Sequence, residues 1–412
     1  MEQMPKHDGA VVQAQTRALQ TVDRESYWAR IGRAYRVSFR ILLVALPLFV
    51  VMFVAICSRA FTYDSIFCFF KDLRSTSSFI PSDNRTVTYT YEEGERDVIP
   101  YRGGVAAVTT GGVEVYSPDG ERLLELAMPM STPRAVASRK YVVAFDFGQR
   151  EFAVTNSYAR LHRGTTEHPI YMAEVADTGQ IALVTASDTY LSQVLLYDTN
   201  FHLVQSFGRA AATVGVSVSD NGKYIAILSL DSEQGRREAV LQLYRIGFEK
   251  PTFSVSFAGE TPVALSFTDH RHIAVVTDGA LRVLDMDGEW EEEIRFDGAA
   301  LTSYAFSDTG AMLSLCSDRT DAAYRTVVVD RKGRLVYDEV HAGEEVRAIA
   351  LGEEQIFLLA GNRISRIGTS DGVKREITCE SGATQIFAMD DERLRVVYAG
   401  KAEYIYFGEK EE

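Results

Sequence analysis

Hydrophobic positions change their period twice along the chain. Over residues 10–36, Val11, Ala14, Ala18 and Val22 recur at spacings of three and four, and Tyr27, Trp28, Ile31 and Tyr35 continue the series. That spacing lines one face of a helix and predicts a helical arm over 1–36. From Ile41 to Ser58 the chain reads ILLVALPLFVVMFVAICS without a charge, and Val37, Ser38 and Phe39 extend it beyond Arg40. About 20 such residues suffice for a helix crossing ~30 Å of hydrocarbon, and a proline such as Pro47 is tolerated there. No amphipathic period appears in the run. The expectation is therefore a transmembrane helix over 37–58. An aromatic-rich stretch, FTYDSIFCFF at 61–70, is too short to cross again and falls in a linker over 59–83.

From about Arg85 the period becomes two. Runs such as Val87-Thr88-Tyr89-Thr90-Tyr91, Tyr224-Ile225-Ala226-Ile227-Leu228 and Leu394-Arg395-Val396-Val397-Tyr398 are rich in β-branched and aromatic residues, which favour strands. Turn signals divide these runs into hairpins. Asp177-Thr178-Gly179, Asp220-Asn221-Gly222 and Asp308-Thr309-Gly310 each precede an apolar strand, with Thr268-Asp269-His270 and Met389-Asp390-Asp391 at equivalent places. A second class follows the next strand, at Asp119-Gly120, Asp198, Asp287-Gly288, Asp330 with Gly333, and Asp371-Gly372. Asp and Asn cap such turns, and Gly supplies positive φ.

The unit reads strand, turn, strand, gap, strand, turn, strand: a four-stranded antiparallel meander. Units start near Ile99, Arg134, Tyr171, Val214, Val263, Thr302, Val346 and Thr384, a mean period of about 41 residues. That is the period of a propeller blade, and blades that bury both faces stack radially around a channel. The last unit supplies three strands. Val87–Tyr91 can add the fourth and remove an open edge. The expected fold is all-β: a propeller over 84–408, followed by a charged tail at 409–412. Eight blades are counted. Seven is the alternative, because the second unit shows no clear hairpin turn in REFAVTNSYARLHR.

Charge sharpens this division. The chain of 412 residues carries 43 Lys+Arg and 57 Asp+Glu, a net charge of −14. Residues 1–40 hold seven bases and four acids, +3, which leaves −17 on the rest. The acidity argues against a nucleic-acid partner. Arg30, Arg33, Arg36 and Arg40 precede the apolar run with no acid among them, whereas Arg59 and Lys71 follow it beside Asp64 and Asp72. That asymmetry predicts a single-pass plasma-membrane protein with a cytoplasmic N-terminus and an extracytoplasmic propeller.

The motifs VSDNGKYIAILS and LRVLDMDGE resemble blades of the WD40-like and quinoprotein-like propeller superfamily. A single N-terminal span followed by such a propeller resembles an uncharacterised family of Gram-positive bacterial membrane-anchored propeller proteins. The resemblance implies fold and anchoring. It carries no functional residues across, because the WD dipeptide is absent and the only tryptophans are Trp28 and Trp290.

No constellation points to catalysis. His270-Arg271-His272 could ligate zinc or copper with a third ligand, but its place in a strand-connecting turn favours a surface turn. His162 and His168 show no metal spacing. Asp285-Met286-Asp287-Gly288 opens like a calcium loop, yet the ligand pattern that should follow is missing. Glu291-Glu292-Glu293 and the pairs Glu344-Glu345, Glu353-Glu354 and Asp390-Asp391 read as solvated edges or turns. A disulfide between Cys316 and Cys379 is geometrically possible, Cys57 falls in the apolar run and Cys68 in the linker. Asn84-Arg85-Thr86 is a glycosylation sequon by pattern only. No Walker loop, dinucleotide fingerprint or nucleophile elbow occurs.

No catalytic, cofactor-binding or metal residue is assigned. The chain is expected not to be an enzyme and to need no cofactor. It should act as a binding or scaffolding platform for an envelope protein or wall polymer. The alternatives are a propeller enzyme, quinone-dependent or glycan-active, and a ligand sensor.

Overall fold

The computed structural model describes residues 35–49, 88–91, 94–233, 235–307, 309–318 and 323–407. The chain divides into two compact units, 1–71 and 72–412.

In the first unit the described residues form one helix, α1 (35–49), exposed along its whole length. At ~1.5 Å per residue it reaches ~22 Å, short of a ~30 Å hydrocarbon core, and it carries Arg36 and Arg40. No helix among the described residues is long and apolar enough to cross a membrane. This overturns the expected transmembrane anchor over 37–58, and with it the single-pass plasma-membrane localisation. Hydropathy alone suggested a span because the apolar run continues to Ser58. Residues 50–58 lie outside the described residues, as do 1–34, the linker at 59–83, the sequon at 84–86 and the tail at 409–412. Trp28, Cys57 and Cys68 fall among them.

The second unit is a propeller of eight four-stranded antiparallel sheets. The first strand, β1 (Thr88–Thr90), belongs to the last sheet. Blade 1 follows as β2 (Arg96–Tyr101), β3 (Gly104–Thr109), β4 (Gly112–Tyr116) and β5 (Arg122–Ala127). Blade 2 is β6 (Pro133–Ala137), β7 (Val142–Asp146), β8 (Glu151–Thr155) and β9 (Arg160–Thr165). Blade 3 is β10 (Ile170–Val175), β11 (Ile181–Thr185), β12 (Ser192–Tyr197) and β13 (Leu203–Arg209). Blade 4 is β14 (Ala212–Val218), β15 (Tyr224–Glu233), β16 (Arg236–Arg245) and β17 (Pro251–Ala258). Blade 5 is β18 (Pro262–Phe267), β19 (Ile273–Thr277), β20 (Ala280–Leu284) and β21 (Trp290–Arg295). Blade 6 is β22 (Ala300–Ser307), β23 (Gly310–Asp318), β24 (Ala323–Asp330) and β25 (Leu335–Ala342). Blade 7 is β26 (Val346–Leu351), β27 (Gln355–Ala360), β28 (Arg363–Gly368) and β29 (Lys374–Thr378). Blade 8 is β30 (Gln385–Ala388), β31 (Arg393–Val397) and β32 (Lys401–Tyr406), with β1 added outside β32.

The second strands are near-continuous apolar runs because both faces are covered. Val105, Ala106, Ala107 and Val108 are fully buried, as are Ile225, Ala226, Ile227 and Leu228. Each buried Val, Leu or Ile contributes about 1.5–3 kcal/mol. Alternation sends neighbouring side chains into different cores. Ile225 and Ile227 pack with blade 3, while Ala226 and Leu228 pack with blade 5. Eight such cores lie between successive blades, from blades 1 and 2 round to blades 8 and 1.

Aspartates make the tight turns. Asp198, Asp285 and Asp330 each use Oδ1 to accept two backbone N–H groups, at residues two and four positions on, at 2.8–2.9 Å. In blade 2 the missing turn signal is Asn156, whose Oδ1 accepts the amides of Tyr158 and Ala159 at 2.9 and 2.8 Å.

Candidate functional site

The innermost strand of each blade borders the central channel: β2, β6, β10, β14, β18, β22, β26 and β30. In five of them the register slips near the start, leaving one extra residue. These are Tyr171, Val214, Val263, Thr302 and Arg347. A bulge bends its strand and re-aims a side chain. The sequence units had been placed on four of these five positions without any signal for a bulge.

Two parts of the wall stand out. On blades 2 and 3, Tyr171 is 46 % and Phe147 45 % exposed, and their rings meet with centroids 5.7 Å apart. Phe147 lies in the turn between β7 and β8, which is tied to β10 by Gly148 N–H donating to the Ile170 carbonyl at 2.8 Å. Tyr190 and Leu191, exposed in the loop between β11 and β12, extend the apolar surface of blade 3. On the other side is a cavity of about 690 Å³, lined by β22, β26, Thr384, β30 and Pro100. Blades 3 and 7 are four apart in a ring of eight, so Tyr171 and Arg347 occupy opposite walls.

The innermost strands carry two carboxylates. Asp97 accepts the Ala135 amide at 3.0 Å. Burial pushes its carboxyl up, against the lowering effect of that bond and of Arg134 nearby. Glu174 has neither a hydrogen bond nor an ion pair among the described residues, and burial pushes its carboxyl up to about 8. The residue is half-buried.

The other residues singled out from sequence have structural places. His270 is exposed, but His272 is buried, which corrects the surface-turn reading. Its Nδ1 lies 2.9 Å from both carboxylate oxygens of Asp269, and its Nε2 3.3 Å from Glu291. Glu293 is also partnered: with Glu260 it flanks the buried Arg282 guanidinium at 2.8 and 2.6 Å. The same guanidinium lies over Phe257 and Trp290. Glu291, Glu292 and Glu293 follow Trp290 in the outer strand β21, so they are an edge with two anchored members. His162 stacks on Phe201 at 5.2 Å, and His168 lies 3.9 Å from Asp188. Asp285 closes its hairpin turn. Cys316 and Cys379 are both free and buried, in different inter-blade cores, so the possible disulfide is not formed. Among the described residues no three His, Cys, Asp or Glu are grouped to hold a metal ion.

A family model described as "Family of unknown function (DUF5711)" matches residues 82–407. The chain belongs to this family. No curated protein matches it. Solved structures share the fold of this DUF5711 propeller at low identity. BamB from Moraxella catarrhalis is 11 % identical with a TM-score of 0.52, covering 78 % of this chain and 98 % of its own. Apo AztD from Citrobacter koseri is 11 % identical with a TM-score of 0.51, covering 71 % and 88 %. Chaetomium thermophilum Sqt1, bound to the N-terminus of ribosomal protein L10, is 15 % identical with a TM-score of 0.51, covering 74 % and 94 %. At such identity these neighbours show the propeller fold alone.

Proposed function

We propose that this propeller is a non-catalytic protein-binding platform whose partner docks at the channel mouth over blades 2 and 3. The observation that supports the reading is the Phe147–Tyr171 pair. Two large aromatic side chains stand nearly half exposed on strands and turns that the closed ring holds rigid. Exposed apolar groups of this kind mark interaction sites, and aromatic anchors dominate binding energy at protein interfaces. Sqt1, which shares the fold, holds the N-terminus of a protein. The envelope protein or wall polymer expected from sequence depended on a membrane anchor. No helix among the described residues is long and apolar enough for such an anchor, and the partner is defined by its chemistry: a protein segment with apolar side chains that cover the pair.

The test is affinity capture with the full chain, compared with the double variant F147A/Y171A. Losing the two aromatic anchors, together worth ~2 kcal/mol or more, should weaken a captured partner by at least about 30-fold. Capture of the same partners by the variant at unchanged affinity overturns the reading.

A further inference from the structure

The cavity across the channel has a chemistry that the aromatic pair does not explain. Its wall holds one charged side chain, Arg347, and no carboxylate. Arg347 is exposed at its bulge in β26, and no described residue accepts a hydrogen bond from its guanidinium. The other arginines of the innermost strands do have protein acceptors: Arg96 donates to Gly94 O and Arg134 to Pro133 O. The rest of the wall is apolar or aromatic, with a few neutral polar groups. Tyr304 and Phe306 lie with ring centroids 5.8 Å apart, Phe387 adds a third ring, and Ser303 and Gln385 add hydrogen-bonding groups.

Four features point the same way. In a chain of net charge −14, the one cation lining this concave wall has no protein partner among the described residues, and such a site is complementary to an anion. A guanidinium grips a planar oxyanion through two parallel N–H bonds. One positive charge matches a carboxylate, whereas a phosphate monoester carries nearly two negative charges at neutral pH. The volume of about 690 Å³ falls within the ~300–1,000 Å³ of sites that enclose small organic groups.

We propose that this cavity binds a monocarboxylate carried on an aromatic or apolar body. Arg347 holds the carboxylate, and Tyr304, Phe306 and Phe387 cover the body. The carboxylate belongs to a free organic acid or to the C-terminus of a protein chain. The inference uses none of the residues of the proposed docking surface and stands apart from it.

Saturation-transfer NMR on the full chain tests this with phenylacetate as probe and phenylacetamide as its neutral counterpart. Phenylacetate should bind. R347Q should weaken it at least tenfold with an unchanged far-UV dichroism spectrum, because the charge-assisted pair is lost. R347K should fall between the two, since an ammonium keeps the charge but not the fork. The amide should bind at least tenfold more weakly than the acid, and F147A/Y171A should leave phenylacetate binding unchanged. Equal binding by R347Q or by the amide overturns the proposal. So does loss of binding in F147A/Y171A, or no binding at about 10 mM, which is too weak for a specific site. A short peptide ending in a free phenylalanine carboxylate distinguishes the sources. Binding at least tenfold tighter than phenylacetate assigns a chain terminus, and no gain assigns a small acid.

Discussion

Arg395 is 1 % exposed and has no carboxylate partner among the described residues. Its guanidinium donates instead to the carbonyls of Gly103 and Gly104 and to the Tyr89 hydroxyl, and it lies 4.8 Å from the centre of the Tyr89 ring. One side chain thus joins β31, β1 and the turn between β2 and β3. Arg395→Met would leave two buried acceptors, the Gly104 carbonyl and the Tyr89 hydroxyl, without this donor, whereas the exposed Gly103 carbonyl turns to water, at a cost of about 2 kcal/mol. Urea unfolding measures it, and a loss below about 1 kcal/mol would show that the clasp is incidental. Glu174 makes a prediction with a definite sign. Its carboxyl stands near 4.5 in the unfolded chain and is pushed up to about 8 in the folded one. Between those values the unfolded chain releases a proton that the folded chain keeps, so stability falls as pH rises through the window and is level above it. Glu174→Gln should remove this slope and leave the variant more stable than the parent at pH 9, by about 1–3 kcal/mol because channel water screens part of the effect. A parallel pair of stability–pH curves would contradict the assignment. Sequence shows Glu174 only as one acid among many. What sets it apart is the absence of a partner in folded space.

At the scale of elements, the hairpins were legible because turn chemistry is local. An Asp that caps its own turn, as at Asp285 and Asp330, does so within four residues. Blade 2 looked irregular only because Asn156 does the same work without an Asp-Gly pair. The bulges were not legible. Whether Tyr171 or Arg347 is an extra residue depends on the partner strand's register, which a single strand's pattern does not encode. The strand β1 closes the ring. It pairs with β32 from Thr88↔Glu403 to Thr90↔Lys401, and Tyr91 donates its hydroxyl proton across to the carbonyl oxygens of Tyr398 and Lys401. Deleting the chain up to residue 91 should expose the edge of β32 and uncover the core shared by blades 8 and 1. The expected outcome is a thermal midpoint lower by at least several degrees, with proteolysis beginning in blade 8. An unchanged midpoint would show that three strands suffice to close that blade.

For the whole molecule, the sequence by itself determined the repeat. A period of about 41 residues, alternation within each strand and Asp- or Gly-bearing turns are consequences of local chemistry, and they specified eight meanders and their order. It also determined the acidity that disfavours nucleic acid. It misled over 37–58, where an apolar run interrupted only by Arg40 suggested a membrane helix. Among the described residues the helix is shorter than such a span requires. Only the tertiary structure decided what the channel presents, because its wall gathers residues from eight strands spread over some three hundred positions. Tyr171 on one wall and Arg347 on the other are 176 residues apart in sequence and become facing groups when the eighth sheet closes. The reason is the same for both: a local pattern records which way a side chain points from its own strand, while its neighbours across a ring are set by where every other strand ends.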